Sequence, residues 1–231
     1  EFLGKTYTYD TDNRYLKTVT DALGRTTTTL SYDKYGNPLS VMDFLQHTTN
    51  YTYDNLGRAV ITNYPDDVTK SNIYTWSNVK GSYLHTQTVT GKPQLRTFYD
   101  ALNREIRNGD QRFDGTWRYI DTEYDRYGRL KRTSLPFKGN DPTLWNTYTY
   151  DEYDRTISLI EASGKTTTTS YNGRSITVVS ENISTTRTYD ESGKLVAATD
   201  PGGSISYIYR PDGQLKQIIA PDNIITSFEY D

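Results

Sequence analysis

The stretch YTYDNLGRAV, residues 51–60, decides the fold. Tyr51-Thr52-Tyr53 alternates, so both rings fall on one face of a strand. Asp54 and Gly57 then stand at the first and fourth positions of a tight turn. An aspartate there accepts the backbone N–H two residues on, and a glycine takes the positive φ that closes such a hairpin. Arg58-Ala59-Val60 begins the return strand. Variants of the phrase recur along the chain as SYDKYGNPL, FYDALNREI, EYDRYGRLK, TYDESGKLV and YRPDGQLKQ.

The repeat has a period. The second tyrosine of each unit falls at Tyr9, Tyr32, Tyr53, Tyr99, Tyr124, Tyr150, Tyr171, Tyr189, Tyr209 and Tyr230. The one wide gap, from Tyr53 to Tyr99, is two units, with Trp76 of IYTW standing where tyrosine is expected. A second turn follows about ten residues after the first: DALG at 21–24, YPDD at 64–67, EASG at 161–164, DPGG at 200–203 and APDN at 220–223. Asn172-Gly173 reads as a two-residue type I′ turn. Short alternating segments with turns every 8–12 residues imply an all-β architecture. About ten repeats over residues 1–231 therefore predict one array of tandem β-hairpins, a long antiparallel sheet that curves and winds because open sheets of this many strands do not stay flat. Equivalent tyrosines are expected to lie two strands apart, and the basic residue after each glycine to cover a ring or pair with a turn aspartate.

Composition agrees. Hydrophobic residues make up 34% of the 231, against roughly 45–50% apolar for ordinary domains, yet 22 tyrosines and many threonines supply strand-forming surface. A disordered chain lacks such residues. The net charge of −3 offers no field for a polyanion, so nucleic acid is not an expected partner. No apolar run reaches the ~20 residues of a spanning helix. Cysteine is absent, which removes disulfide and thiolate chemistry. The pattern is already running at KTYTYD and still running at FEYD, as expected for a piece of something longer, whose cut strand edges favour self-association.

The repeated YD-x-x-G-R phrase with its second turn resembles the Rhs/YD-repeat family, and the resemblance covers essentially the whole chain. That family includes bacterial Rhs polymorphic toxins, the B and C components of insecticidal toxin complexes and the extracellular shell of teneurins. SLPFKGNDPTLWNTYTYDEYDR, residues 134–155, looks most like the toxin branch. The resemblance implies a spiralling hollow β shell around a toxic C-terminal polypeptide, in a protein secreted by bacteria or held at their surface. The self-cleaving core segment of complete members has no counterpart in these residues, so autoproteolysis is not expected of them.

The residues expected to matter are structural: Tyr53, Asp54, Gly57 and Arg58; Tyr124, Asp125, Gly128 and Arg129; Tyr189, Asp190 and Gly193; Tyr209 and Gly213. No catalytic, cofactor or metal site is read, and the chain is not expected to be an enzyme. His47 and His85 each stand alone in threonine-rich stretches, as turn or strand-face residues. Asp10-Thr11-Asp12-Asn13 lacks the glycine and terminal glutamate of a calcium loop. Ser163-Gly164-Lys165-Thr166 lacks the first glycine of a phosphate loop. Trp117 and Trp145 follow what read as the longest insertions, around 108–116 and 135–144, and are the candidates for contact with a ligand in the alternative reading, an extracellular carbohydrate- or receptor-binding surface. Trp76, in a repeat position, is expected to stack within the sheet.

Overall fold

The computed structural model describes residues 4–230. Among them there are only strands and turns, with no helix. The chain divides into two units, residues 1–120 with 136–140 and residues 121–135 with 141–231.

The first unit contains β1 (Thr6–Tyr9), β2 (Leu16–Thr20), β3 (Thr26–Tyr32), β4 (Pro38–Met42), β5 (Thr48–Tyr53), β6 (Ala59–Asn63), β7 (Thr69–Trp76), β8 (Tyr83–Val89), β9 (Leu95–Tyr99) and β10 (Glu105–Gln111). Each pairs antiparallel with the next. Strand β11 (Trp117–Tyr124) begins in the first unit and ends in the second. It is followed by β12 (Leu130–Ser134), β13 (Trp145–Tyr150), β14 (Thr156–Ile160), β15 (Thr166–Asn172), β16 (Ser175–Ser180), β17 (Ile183–Tyr189), β18 (Leu195–Asp200), β19 (Gly203–Tyr209), β20 (Leu215–Ile219) and β21 (Ile225–Ser227). From β11 onward the same rule of consecutive antiparallel pairing holds. The fold class is the one the turn spacing predicts, all-β tandem hairpins.

The turn at residues 54–58 shows how the phrase works. Gly57 N–H donates to Asp54 O (3.0 Å) and Asp54 N–H to Arg58 O (3.0 Å). Gly57 has φ +75°, the left-handed conformation that admits glycine without a Cβ clash. The register then shifts by one residue between Thr52 and Tyr53, which leaves Tyr53 opposite Ala59. A one-residue bulge at the end of the strand sharpens the local twist. Tyr9, Tyr32, Tyr124, Tyr150, Tyr189 and Tyr209 sit at the same kind of shift.

Three local expectations are corrected. Asn172 stays in β15, paired with Ser175, so the two-residue loop is Gly173-Arg174, and only Gly173 has positive φ. That is the pattern of a type II′ turn. The type I′ pattern occurs one hairpin later at Glu181 (φ +51°) and Asn182 (φ +66°), between the paired Ser180 and Ile183. The supposed insertion at 108–116 is the end of a strand and a tight turn, since β10 runs to Gln111 and Arg112 N–H on Thr116 O closes the turn. Trp76 is 87% exposed and does not stack within the sheet; Tyr74, two residues earlier, does.

Neither unit has a thick apolar core. Phe98 is the only buried hydrophobic side chain among the described residues. Register instead sorts side chains onto two faces. One face carries rows of small hydroxyls such as Ser170, Thr177, Thr186, Thr199 and Ser204, directly opposite one another on β15 to β19. Thr177 bonds Thr186 at 2.8 Å and Thr199 bonds Ser204 at 2.9 Å. In the first unit Thr8–Thr18 (2.6 Å) and Thr20–Thr26 (2.8 Å) do the same. The other face carries the tyrosines. Cross-strand pairs of this kind contribute about 0.2–1 kcal/mol each, and their number substitutes for a core.

Candidate functional site

The geometry that repeats is the YD turn and its connection to the next hairpin. Asp54 Oδ1 accepts the N–H groups of Leu56 (2.9 Å) and Arg58 (3.0 Å), while Oδ2 takes Arg58 Nε at 2.7 Å. The Arg58 guanidinium, and after it the Arg58 N–H, hold the Asp54 carboxyl below the ordinary carboxylate range. Asp125 and Arg129 repeat this arrangement, with Nε at 2.7 Å, around the turn closed by Gly128 N–H on Asp125 O. Asp190 varies it: Ser192 Oγ donates to Oδ1, and this contact, then the Lys194 N–H, lowers its carboxyl; Gly193 N–H closes the turn on Asp190 O. At Gly213 the first turn position is Arg210, whose carbonyl accepts the Gly213 N–H at 2.9 Å.

The bulged tyrosines join one repeat to the next. Tyr53 Oη donates to Pro38 O at 2.9 Å, and Pro38 is the residue opposite Tyr32. Tyr150 Oη reaches Leu130 O (2.8 Å), opposite Tyr124, and Tyr209 Oη reaches Leu195 O (2.8 Å), opposite Tyr189. Tyr32 makes the same bond to Leu16 O, and two tyrosines without a bulge, Tyr171 and Tyr230, reach Thr156 O and Leu215 O. The turn cation of one repeat lies over the tyrosine of the next. Arg58 is 3.9 Å from the Tyr74 ring centre, Arg129 4.7 Å from Tyr150, Arg155 4.0 Å from Tyr171 and Lys194 5.3 Å from Tyr209. Arg58, Arg129 and Arg155 each cover a ring and pair with their turn aspartate. Lys194 covers a ring, and Arg174 pairs instead with Glu191 at 2.8 Å. Hydroxyl and guanidinium contacts couple the tyrosines between repeats.

The remaining candidates occupy defined places. Trp117 lies on β11 with Arg96 4.0 Å over its ring and Tyr119 stacked at 5.8 Å. Trp145 opens β13 with Arg132 4.1 Å over its ring, and Arg132 forks onto Glu123 with two 2.8 Å bonds. Each tryptophan is thus half-buried with a face already covered. Around Tyr119 the first unit gathers a cluster that the sequence did not reveal: Phe98 edge-on at 6.4 Å, Phe137 at 6.0 Å and the Arg107 guanidinium at 5.1 Å. Arg107 also donates to Asn140 O at 2.6 Å. The available signal was Gly109, a glycine inside a strand, which marks a close approach. A Cβ there would stand 2.5 Å from the Tyr119 ring.

His47 lies in a turn, its N–H on Asp43 Oδ1 at 2.9 Å. His85 lies on β8 with its ring against Tyr74. Asp10 serves its own turn, accepting Arg14 N–H at 2.7 Å, and Gly164 N–H closes the 161–165 turn on Glu161 O.

No family model matches the chain. Over 188 residues it is 28% identical to a protein of Bacillus spizizenii, the tRNA3(Ser)-specific nuclease WapA, covering 78% of this chain and 7% of that protein. The TcdB2–TccC3 crystal structure superposes with a TM-score of 0.73 at 19% identity, over 94% of this chain and 15% of that one. A Photorhabdus luminescens Tc holotoxin pore superposes with a TM-score of 0.72 at 16% identity, over 94% of this chain and 18% of that one. The chain therefore spans a small fraction of the proteins it matches. These solved structures share the fold of the chain, and its tandem YD phrase and hairpin array are those of the Rhs/YD repeats it resembles.

Proposed function

We propose that the chain is a non-catalytic wall segment of a secreted or surface-held bacterial Rhs-type toxin, and that its work is to enclose a toxic C-terminal polypeptide of the same protein. The observation that carries this reading is the use made of the charged groups. Turn aspartates and their arginines engage each other, the turn backbone and the next tyrosine, so the residues most capable of chemistry are committed to shape. Trp117 and Trp145, each beneath an arginine, belong to the wall in the same way. One relative is named a tRNA-specific nuclease and another a Tc holotoxin pore, and enclosure is the role that the resemblance to the Rhs family implies. The partners in this reading are the rest of the shell and the enclosed polypeptide. The test is to express the full-length protein and expose it to protease. The C-terminal polypeptide is expected to survive while the wall is intact; digestion at the rate of the free polypeptide overturns the reading.

A further inference from the structure

The hairpin of β7 and β8 differs from its neighbours in holding a histidine inside the tyrosine ladder. Tyr74 and His85 face each other in register, their rings 4.6 Å apart and 8° from parallel. Tyr74 lies between β6 and β8, so its other face receives Arg58, 3.9 Å from the ring centre. Beside the imidazole, Asn72 is 9% exposed and fully engaged. Its Nδ2 donates to Ala59 O (3.0 Å), and its Oδ1 faces Gln87 Nε2 (3.4 Å) and His85 Nε2 (3.1 Å). Because Oδ1 can only accept, Nε2 of the neutral ring carries the hydrogen, and an added proton goes to Nδ1.

Among the described residues, the charges acting on this ring are of one sign. β7 contributes Lys70 and the turn before β6 contributes Arg58, whose own countercharge, Asp54, is already taken up in the turn. β9 places Thr97 opposite His85, and its Arg96 covers Trp117 instead. Burial first, then Lys70 and Arg58, push the imidazole below its ordinary 6.5.

We propose that the β7–β8 hairpin is an acid-labile joint in the wall: protonation of His85 sets a third cation among Arg58, Lys70 and a tyrosine face already opposed by a guanidinium, and so loosens this hairpin before any other. Linkage gives the direction. Folded His85 binds its proton less readily than unfolded histidine, so its stabilising contribution is complete above pH 6.5 and falls away as pH drops through the lowered folded value.

His85 and His47 are the only histidines in the chain, so few other side chains titrate between pH 7.5 and 5.5. The test follows both by NMR, with His47→Gln assigning the signals, and measures amide exchange in the wild-type chain and in His85→Gln, corrected for intrinsic rates. The expected result is a His85 midpoint below 6.5, with β7 and β8 losing protection at pH 5.5 in the wild type and keeping it in His85→Gln. A midpoint at or above 6.5 overturns the proposal, as does equal loss of protection in the variant. Should His85→Gln fail to fold, the wild-type midpoint and exchange map still decide. None of these readouts depends on an enclosed polypeptide, so the joint stands or falls separately from the enclosure reading.

Discussion

The Tyr53 hydroxyl donates to the carbonyl of Pro38, a residue of the preceding hairpin, at 2.9 Å. Pro38 stands opposite Tyr32 because the register shifts there and passes over Leu39. The bulged pairing of one repeat thus places the acceptor for the tyrosine of the next, and the same hydroxyl link recurs at Tyr150 and Tyr209. Tyr53→Phe keeps the ring and removes only that donor. A single net hydrogen bond contributes about 0.5–1.5 kcal/mol, so the midpoint of denaturant unfolding should fall by that amount divided by an unchanged slope. Tyr150→Phe, in the other unit, removes the equivalent bond to Leu130 O and should lower stability by a similar amount. Unchanged midpoints in both variants would show that the hydroxyls contribute nothing net.

Arg129 is engaged on several sides at once. Nε bonds Asp125, Nη1 reaches Asp154 of the next turn at 2.6 Å and the Asp151 carbonyl at 3.3 Å, and the guanidinium covers Tyr150. A lysine provides one compact ammonium in place of this planar fork. Arg129→Lys should therefore destabilise the chain more than Arg58→Lys, which gives up the turn bonds and one ring contact but no second carboxylate. Thermal unfolding of the two variants side by side reads the order, and equal losses would mean that the bond to Asp154 is idle.

The hairpin array was legible because its information is local. Asp54, Gly57 and Arg58 lie within five residues, and period-two alternation around them fixes the strands. The Tyr74–Trp76 exchange was not legible, because both residues lie on the same face of β7 and the choice depends on where the β8 partner falls. Asn172-Gly173 misled for a related reason: the preference for a turn type yielded by one residue to the pairing of Asn172 with Ser175. The cluster around Tyr119 draws Phe98, Arg107 and Phe137 from separate segments, and only the strand glycine hinted at it. The candidate turn residues could be named from sequence, whereas the hydroxyl and guanidinium links between repeats required coordinates, since they join residues fourteen or more positions apart, as from Tyr209 to Leu195 or Tyr150 to Leu130.

Gly109→Ala tests that cluster directly. The new methyl group would stand 2.5 Å from two atoms of the Tyr119 ring and 3.3 Å from the Trp117 ring, so the stacked pair must lift. Overfilling a packed site of this kind costs about 1–3 kcal/mol. Trp117 fluorescence should shift as its contacts with Tyr119 and Arg96 loosen. Gly193→Ala serves as the comparison: at φ +81° with open space around it, it suffers backbone strain and no collision, and should leave the tryptophan signal unchanged. An unaltered spectrum in Gly109→Ala would show that the ring has room to move.

Acid should unfold the array through its turns. Asp21, Asp33, Asp54, Asp100, Asp151 and Asp190 all have carboxyls lowered from the ordinary 3.8. For Asp54 the cause is foremost the Arg58 guanidinium; for Asp21 it is foremost the Arg25 N–H. A folded carboxyl that holds its proton less tightly than the unfolded one contributes stability above the unfolded value, and that contribution disappears as pH falls through the lowered folded value. The array should hold its carboxylate-linked stability at pH 5 and lose it below 3.8, several turns together. Asp54→Asn keeps an oxygen for the Leu56 and Arg58 N–H groups but faces Arg58 Nε with an uncharged amide. The variant should be less stable than the wild type at pH 7, and the gap should close as pH drops below the wild-type carboxyl's folded value. Unfolding midpoints measured from pH 7 to pH 2 read the gap, and a constant difference across that range would mean that the charge on Asp54 plays no part in holding the turn.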